Sequence, residues 1–315
     1  MAVDVNGLNG YYNDELRFEI ATKAMLEASD VQYLNVFDNV NGSMLLSTVD
    51  TDIYVTNDEC ATRTDSGTTV FAGNTLATEP LVIYNEICNK KLQRYFLGKK
   101  GASEEGIDGE LFQALVNDKL TKSMHEVAKI RWQGSNSSPS YAAVTGNLTS
   151  QDGFLQKAYE MSASTVNVAK TAITAVNAIV VVDTIASNIP AEIEGAEGLR
   201  LQLSPSDFRS YMMARRNSGW LDSSANYDSN AQGVSEIYHA GTDNLIVTKN
   251  NGLEGVASGT GLLTYDKNLA LGCLKDPATM DFDVYYDKSK DKVCFELYAL
   301  QGVNFVYAEH VVKIA

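Results

Sequence analysis

The sequence predicts a mixed α+β protein that carries at least one long, protruding β arm. Three observations lead there. The closing stretch DFDVYYDKSKDKVCFELYALQGVNFVYAEHVVKIA alternates apolar and polar residues with a period of two, the spacing of strands with one buried face. The segment IDGELFQALVNDKLTKSMHEVAKIRW places Ile107, Leu111, Leu115, Leu120, Met124 and Val127 on one stripe of a long helix. Between these two, in sequence terms, and the N-terminus lies a Thr-, Asp-, Asn- and Gly-rich stretch around residues 40–80, whose short β-prone runs are too poor in apolar residues to build a core of their own.

In chain order, residues 13–28 read as a short amphipathic helix with Leu16, Ile20 and Ala24 down one face. The β-prone runs at 44–46, 53–55 and 69–71 then predict a long hairpin with its tip near residues 58–67, and Asp58, Arg63, Asp65 and Gly67 are the tip residues expected to meet a partner. Residues 87–96 read as helix and 98–106 as a linker containing Gly and Lys. The long helix follows, and Gly134 with the cluster GSNSSPS ends it. Its Met- and Leu-containing stripe is ordinary core packing rather than a cofactor box.

Residues 146–153 form a second loop, and 154–187 mix helical spacing with Ala- and Val-rich runs. GLRLQLSPSDFRSYMMARRNSG is more specific. Leu201 and Leu203 alternate as a strand, Ser204 is placed to cap, Pro205 suits the first helical position, and Asp207 sits three residues after the cap. That helix runs to Arg216, with Gly219 beyond its end. From Ile237 the chain reads as strand and turn: NLIVTKNNGLEG, GLLTYDKNLALGCL, then a hairpin in which Phe282, Val284 and Tyr286 lead into a turn at 287–291 and Val293, Phe295 and Leu297 lead out. A third run, Val303, Phe305 and Tyr307, follows Gly302, and the apolar Val311, Val312 and Ile314 predict a C-terminus packed into a sheet. There is no repeat of fixed period and no heptad pattern.

A chain of 315 residues, 44% of them hydrophobic, has room for two or three domains and can bury a core. Twenty-five basic residues against forty acidic ones, a net charge of -15, argue against a surface that grips phosphate, and so against a sequence-specific nucleic-acid binder. Such a protein can still enclose nucleic acid without adhering to it. The start, MAVDVNGLNGYYNDELRFEI, has neither the basic nor the apolar region of a secretory signal. No run reaches the roughly 18 apolar residues of a membrane span, AITAVNAIVVVDTIA being interrupted by Asn177 and Asp183. The expectation is a protein of the cytoplasm with no membrane partner. Cys60, Cys88, Cys273 and Cys294 are widely spaced without a C-x-x-C, which predicts reduced, mostly buried thiols rather than a disulfide or zinc framework.

The chemistry of catalysis is hard to find in this sequence. His125, His239 and His310 are the only neutral-pH bases, and none stands in a motif. There is no G-x-S-x-G and no H-E-x-x-H. FLGKKGAS offers Gly98 and Lys99, but Lys100 stands where a phosphate loop needs Ser or Thr. DSNAQGVSEIYH matches a calcium loop at Asp228, Asn230 and Gly233, yet His239 occupies the twelfth position in place of the bidentate Glu. Acidic pairs such as Asp50/Asp52 and Glu104/Glu105 read as solvated surface. The sequence therefore predicts structure or assembly over catalysis, with no catalytic residue, no cofactor and no metal; a hydrolase using carboxylates is the remotest alternative.

The order of these elements resembles the major capsid protein of tailed bacteriophages, whose fold is shared with encapsulins. The resemblance lies in the closing pattern, where Asn268-Leu269, Leu271-Gly272, Asp276, Tyr285-Tyr286, a charged turn, LYALQGVNF and a terminal valine strand follow one another. It extends to AIVVVDTIASNIPAEIEGAEGLRLQLSPSDFRSYMMARR, similar to the helix, strand and helix of the family's axial domain, with Pro190 and Ser204-Pro205 at the breaks. ICNKKLQRYF and AKIRWQGS look like the flanks of the long spine helix in capsid proteins of phages of gut bacteria. The likeness spans residues 81–315 and rests on loose patterns.

The resemblance implies an N-terminal arm and short helix at 1–30, an extended hairpin loop at 31–80, a peripheral domain with spine helix at 81–150, an axial domain at 151–275 and closing peripheral strands at 276–315. It implies that the chain partners itself in hexamers and pentamers, forming an icosahedral virion capsid around double-stranded DNA after assembly in the host cytoplasm. A portal is an implied partner, and the absence of a long acidic helical segment in front of the hairpin predicts a separate scaffolding protein. Nothing in the sequence identifies a Lys and Asn that cross-link. An encapsulin-like compartment, or a tail or surface binding module suggested by the many Tyr, Ser, Asn and Gly residues, are the alternative readings.

Overall fold

The computed structural model describes residues 31–53, 67–88, 90–91, 109–218, 235–242, 244–274 and 281–314. Its strands are β1 (Asn35–Phe37), β2 (Ser43–Ile53), β3 (Gly67–Ala77), β4 (Glu79–Cys88), β5 (Val166–Val168), β6 (Leu199–Leu203), β7 (Glu236–Tyr238), β8 (Ile246–Lys249), β9 (Gly261–Tyr265), β10 (Leu269–Cys273), β11 (Asp281–Asp287), β12 (Lys292–Phe305) and β13 (Val312–Ile314). The longer helices are α1 (Gly109–Gln133), α2 (Phe154–Glu160), α3 (Ala178–Ala186) and α4 (Pro205–Asn217).

β12 is the centre of a five-stranded sheet. β4 runs antiparallel along one side, from Lys292 to Gln301. On the other side β11 pairs with the first half of β12 and β10 with its last five residues, and β1 adds parallel to β10. The alternation of β11 and β12 sends Phe282, Val284, Val293, Phe295 and Leu297 to one face, which packs on Val116, Leu120, Met124 and Val127 of α1. Leu120, Met124 and Val127 belong to the stripe read from the sequence, and Leu115 is half-buried beside them. Ile107 and the side chain of Leu111 lie outside the described residues. The turn falls where the charges predict it, with Asp287 opposite Lys292.

Just past Gln133, the last residue of α1, the backbone leaves no room for a side chain. A Cβ on Gly134 would stand 2.2 Å from the Gln151 carbonyl oxygen. Gly153, the glycine that opens α2, donates its N–H to Gly134 O at 2.8 Å, so the two loop glycines touch.

A six-stranded sheet runs in the order β5-β13-β9-β6-β8-β7. One face, with Leu199, Leu201, Leu203, Val247, Leu263, Val312 and Ile314, is covered by Val182 and Ile185 of α3 and by Phe208 and Tyr211 of α4. The strand-to-helix junction follows its sequence signal: the Ser204 hydroxyl accepts from the Asp207 N–H at 3.2 Å, with Pro205 in the first turn. The Asp207 carboxylate itself reaches forward, accepting from Ser258 Oγ at 2.6 Å and Gly259 N at 2.9 Å, and pins the loop before β9 to α4. A third apolar cluster joins the two sheets. Trp132 stacks on Phe154 at 4.9 Å and Phe154 on Phe305 at 5.5 Å, with Leu253, Leu262, Leu269 and Val311 around them.

The structure corrects four expectations. Ile87 and Cys88 do not start a helix: they end β4, opposite Val293 and Lys292, because Ile83 and Ile87 are needed on the α1 face. Residues 90–91 are helical, and 92–96 lie outside the described residues. Gly302 does not separate two strands, since β12 continues through it to Phe305, and Tyr307 falls beyond the strand. The last strand leaves the sheet of the terminal hairpin, as β13 pairs with β5 and β9 in the six-stranded sheet. Conversely β10, at 269–273, pairs with β12 in the five-stranded sheet. The helix expected at 13–28, the linker at 98–106 and the calcium-loop positions Asp228, Asn230 and Gly233 lie outside the described residues. Among the described residues no helix is long and apolar enough to cross a membrane.

Candidate assembly surfaces

The hairpin expected from the sequence is a two-stranded sheet of its own. β2 and β3 pair antiparallel from Ser43 opposite Ala77 to Ile53 opposite Gly67. Gly67 of the expected tip thus stands at the outer end of β3, while Asp58, Arg63 and Asp65 lie outside the described residues.

Among the described residues, the contacts that hold the hairpin lie at its base. Leu46 and Leu76 are buried against Ala270, with Phe37, Met44 and Val306 around them. Asn74 Nδ2 donates to the carbonyls of Phe305 and Val306 at 2.9 and 3.0 Å, and Asn304 Nδ2 donates to Thr75 O at 2.7 Å. The Thr78 hydroxyl and Gly42 N–H close the corner at 3.1 Å. Two glycines make this approach possible. Gly272 and Gly302 lie opposite one another in the sheet, and a Cβ on them would meet the Leu76 side chain at 2.9 Å and the Ala77 carbonyl oxygen at 1.8 Å.

Beyond the base, the pairs from Ser47/Gly73 to Ile53/Gly67 stand clear of both larger sheets. At about 3.3 Å per residue they reach roughly 20 Å before the tip begins. Leu45, Val49 and Phe71 share one face of the arm and are 61%, 51% and 78% exposed; Val70, on the other face, is 54% exposed. Burying one such side chain is worth about 1.5–3 kcal/mol, so an arm bearing this stripe is stabilised by any surface that covers it. A second apolar set faces outward on the five-stranded sheet, opposite α1, where Val82 and Tyr298 are cross-strand neighbours and Tyr84 and Tyr285 flank them.

The charged side chains of the interior knit elements together. Tyr33 donates its hydroxyl to the Glu236 carboxylate and lies beneath the Arg200 guanidinium, 4.1 Å from ring centroid to Cζ. Arg200 Nε holds both Asp266 oxygens at 2.8 and 3.0 Å while Nη1 takes Glu236 at 2.8 Å. Burial, with each carboxylate's partial loss of water as the main cause, pushes Glu236 and Asp266 above their usual range. No local pattern marks this cluster, whose members come from four separate elements.

The histidines are likewise structural. His239 is buried between the Tyr211 hydroxyl, 2.7 Å from Nδ1, and Asp183 Oδ1, 2.7 Å from Nε2. The carboxylate can only accept, so in the neutral ring Nε2–H donates to Asp183 and Nδ1 accepts from Tyr211. Burial pushes the Tyr211 phenol up to about 12, and its hydroxyl is spent on the ring, so the trio ties α3, α4 and β7 rather than facing a substrate. His125 pairs with Glu254 at 2.7 Å and His310 with Glu192 at 3.1 Å. Among the described residues no group of His, Cys, Asp and Glu could hold a metal ion. Cys88 and Cys294 are free thiols, the second buried; Cys273 is buried with its Sγ 3.6 Å from Phe37 O, and Cys60 lies outside the described residues.

Two sheets joined by an aromatic cluster, a long helix along one of them and a projecting arm make up the architecture of the described residues. The comparisons agree on that fold. No family model and no curated protein matches the sequence. Solved structures match it in shape: the satellite phage P4 procapsid including the size determination protein, at 12% identity, 92% of this chain, 96% of that chain and a TM-score of 0.52; the capsid of an empty GTA particle, at 13%, 91%, 90% and 0.51; and Gordonia phage Cozz, at 13%, 91%, 85% and 0.54. The chain has the α+β fold of phage capsid proteins, as its element order implied. The likeness says nothing about a gut-bacterial host.

Proposed function

We propose that this chain is the major capsid protein of a tailed phage, copies of which ring into hexamers and pentamers and close into an icosahedral shell around double-stranded DNA. The observation that carries the reading is the β2–β3 arm: it projects from a phage-capsid fold with an apolar stripe that is exposed among the described residues. In this reading the five-stranded sheet with α1 is the peripheral domain, the six-stranded sheet with α3 and α4 is the axial domain, and the arm lies across a neighbouring subunit. Single contacts of this kind are modest, but a subunit held by several neighbours must lose all of them to leave. A net charge of -15 keeps the shell from gripping the genome, and the work of the chain is assembly rather than catalysis.

Deleting residues 57–67 tests the arm. The variant is expected to remain soluble and folded by circular dichroism and to form no shells by sedimentation. Normal particles from the deletion would overturn the role given to the arm.

A further inference from the structure

We propose that the outer row of α3 in one copy docks on the outer row of α4 in the next, and that this helix pair is one of the contacts that build the ring. The proposal rests on the shell reading and names a surface that reading leaves open. α3 and α4 lie side by side on one face of the six-stranded sheet, so each has an inner row in the core and an outer row turned away from it.

α3, AIVVVDTIA, is aliphatic on its buried side and mixed on its outer side, where Val180 is followed by the exposed Asp183 and Thr184. Val182 and Ile185 are buried in its own subunit, yet Val180 is 65% exposed and Val176, in the turn before the helix, is 93% exposed. An exposed Val on the outer side of a helix that already packs its other side is apolar area open to a partner. Asp183 continues the same exposed row; its Oδ1 is held by His239, but its side chain is still 55% exposed, so a surface that offers both apolar area and positive charge matches the row. The outer row of α4 offers both. Met213 is 41% exposed and stands between the exposed Arg209 and Arg216, neither of which pairs with a carboxylate among the described residues.

The spacings agree. At about 1.5 Å of rise per residue, Asp183 lies roughly 4.5 Å along its helix from Val180, while Arg216 and Arg209 lie roughly 4.5 and 6 Å from Met213. Seating Val180 on Met213 therefore brings Asp183 beside an arginine whichever way the two helices run. Both rows point away from the sheet they share, so one copy cannot satisfy them with each other. A second copy can, and the α3-to-α4 contact is heterologous, the kind that makes rings. Two helix rows cover far less than the roughly 1,200 Å² of a stable isolated interface, so the contact operates within an assembly and not in a free dimer.

The test joins Val180→Cys and Met213→Cys in a Cys60→Ser, Cys88→Ser background, with copper-phenanthroline oxidation of assembled particles and a non-reducing gel. The expected result is a ladder of linked subunits from the double variant and no ladder from either single variant. Particles in which Val180→Cys and Met213→Cys fail to link, or in which Val180→Cys alone links copies, would overturn the proposal. If the unsubstituted protein forms no particles, the shell reading fails first and takes this contact with it. Should the cysteine variants fail to assemble, Arg209→Glu with Arg216→Glu decides instead. These exposed changes are expected to leave the subunit's melting temperature unaltered and to cut the assembled fraction by about tenfold; unchanged assembly would count against the contact.

Discussion

Gly302 interrupts nothing, although the sequence invites reading it as a break between strands. It sits inside β12, where a Cβ would come within 1.8 Å of the Ala77 carbonyl oxygen at the arm's base. Backbone cannot yield there as a flexible side chain could. Gly302→Ala is expected to loosen the arm from the sheet, seen as a lower melting temperature and faster proteolysis of residues 43–77 than in the unsubstituted protein. The charge cluster makes a different forecast. Glu236 and Asp266 have folded-state affinities for protons raised by burial, so the fold binds protons more readily than the unfolded chain does. Their ionisation thus opposes folding at neutral pH, and that opposition fades as pH falls through the raised range toward the ordinary carboxylate value. Glu236→Gln is expected to reduce the stability gained between about pH 7 and about pH 5, read from denaturant midpoints at the two values; an identical gain in both proteins would refute the assignment. Residue-level features were legible where they are local. Ser204, Pro205 and Asp207 announce a capped helix within four positions, whereas Tyr33 meets Glu236 across 203 residues and Arg200 meets Asp266 across 66, distances over which a single sequence carries no pairing signal.

Among elements, the arm and α1 were readable because each expresses one period clearly. The arm's poverty in apolar residues pointed to a hairpin without a core, and the structure gives it a sheet of its own. β4 was only partly readable. Its end, Ile87-Cys88, runs into NKKLQRYF, where helical spacing takes over, and only the register with Val293 and Lys292 fixes the boundary. Within the arm, buried and exposed apolar residues are expected to part company. Leu76→Ala, at the buried base, should lower subunit stability by about 2–5 kcal/mol. Phe71→Ser, far out and 78% exposed, should shift it by no more than about 0.5 kcal/mol while impairing assembly. Equal effects of the two on subunit melting would contradict the division between anchored base and free arm.

At the scale of the molecule, the chain crosses repeatedly between its two sheets. β10 comes from a stretch otherwise given to the six-stranded sheet, and β13 returns there after β12, with the Trp132–Phe154–Phe305 cluster between them. The terminal strands were visible in the sequence as alternation, but which sheet each joins depends on long-range pairing that periodicity does not encode. Among the described residues the arm, the outer face of the five-stranded sheet and the outward rows of α3 and α4 expose apolar side chains, and a closed shell of copies would cover such surfaces. Electron microscopy of the protein expressed alone, and again beside its neighbouring genes, tests that claim most directly. Uniform angular shells or their precursors in either sample are the predicted result; monomers or open rings in both would contradict it.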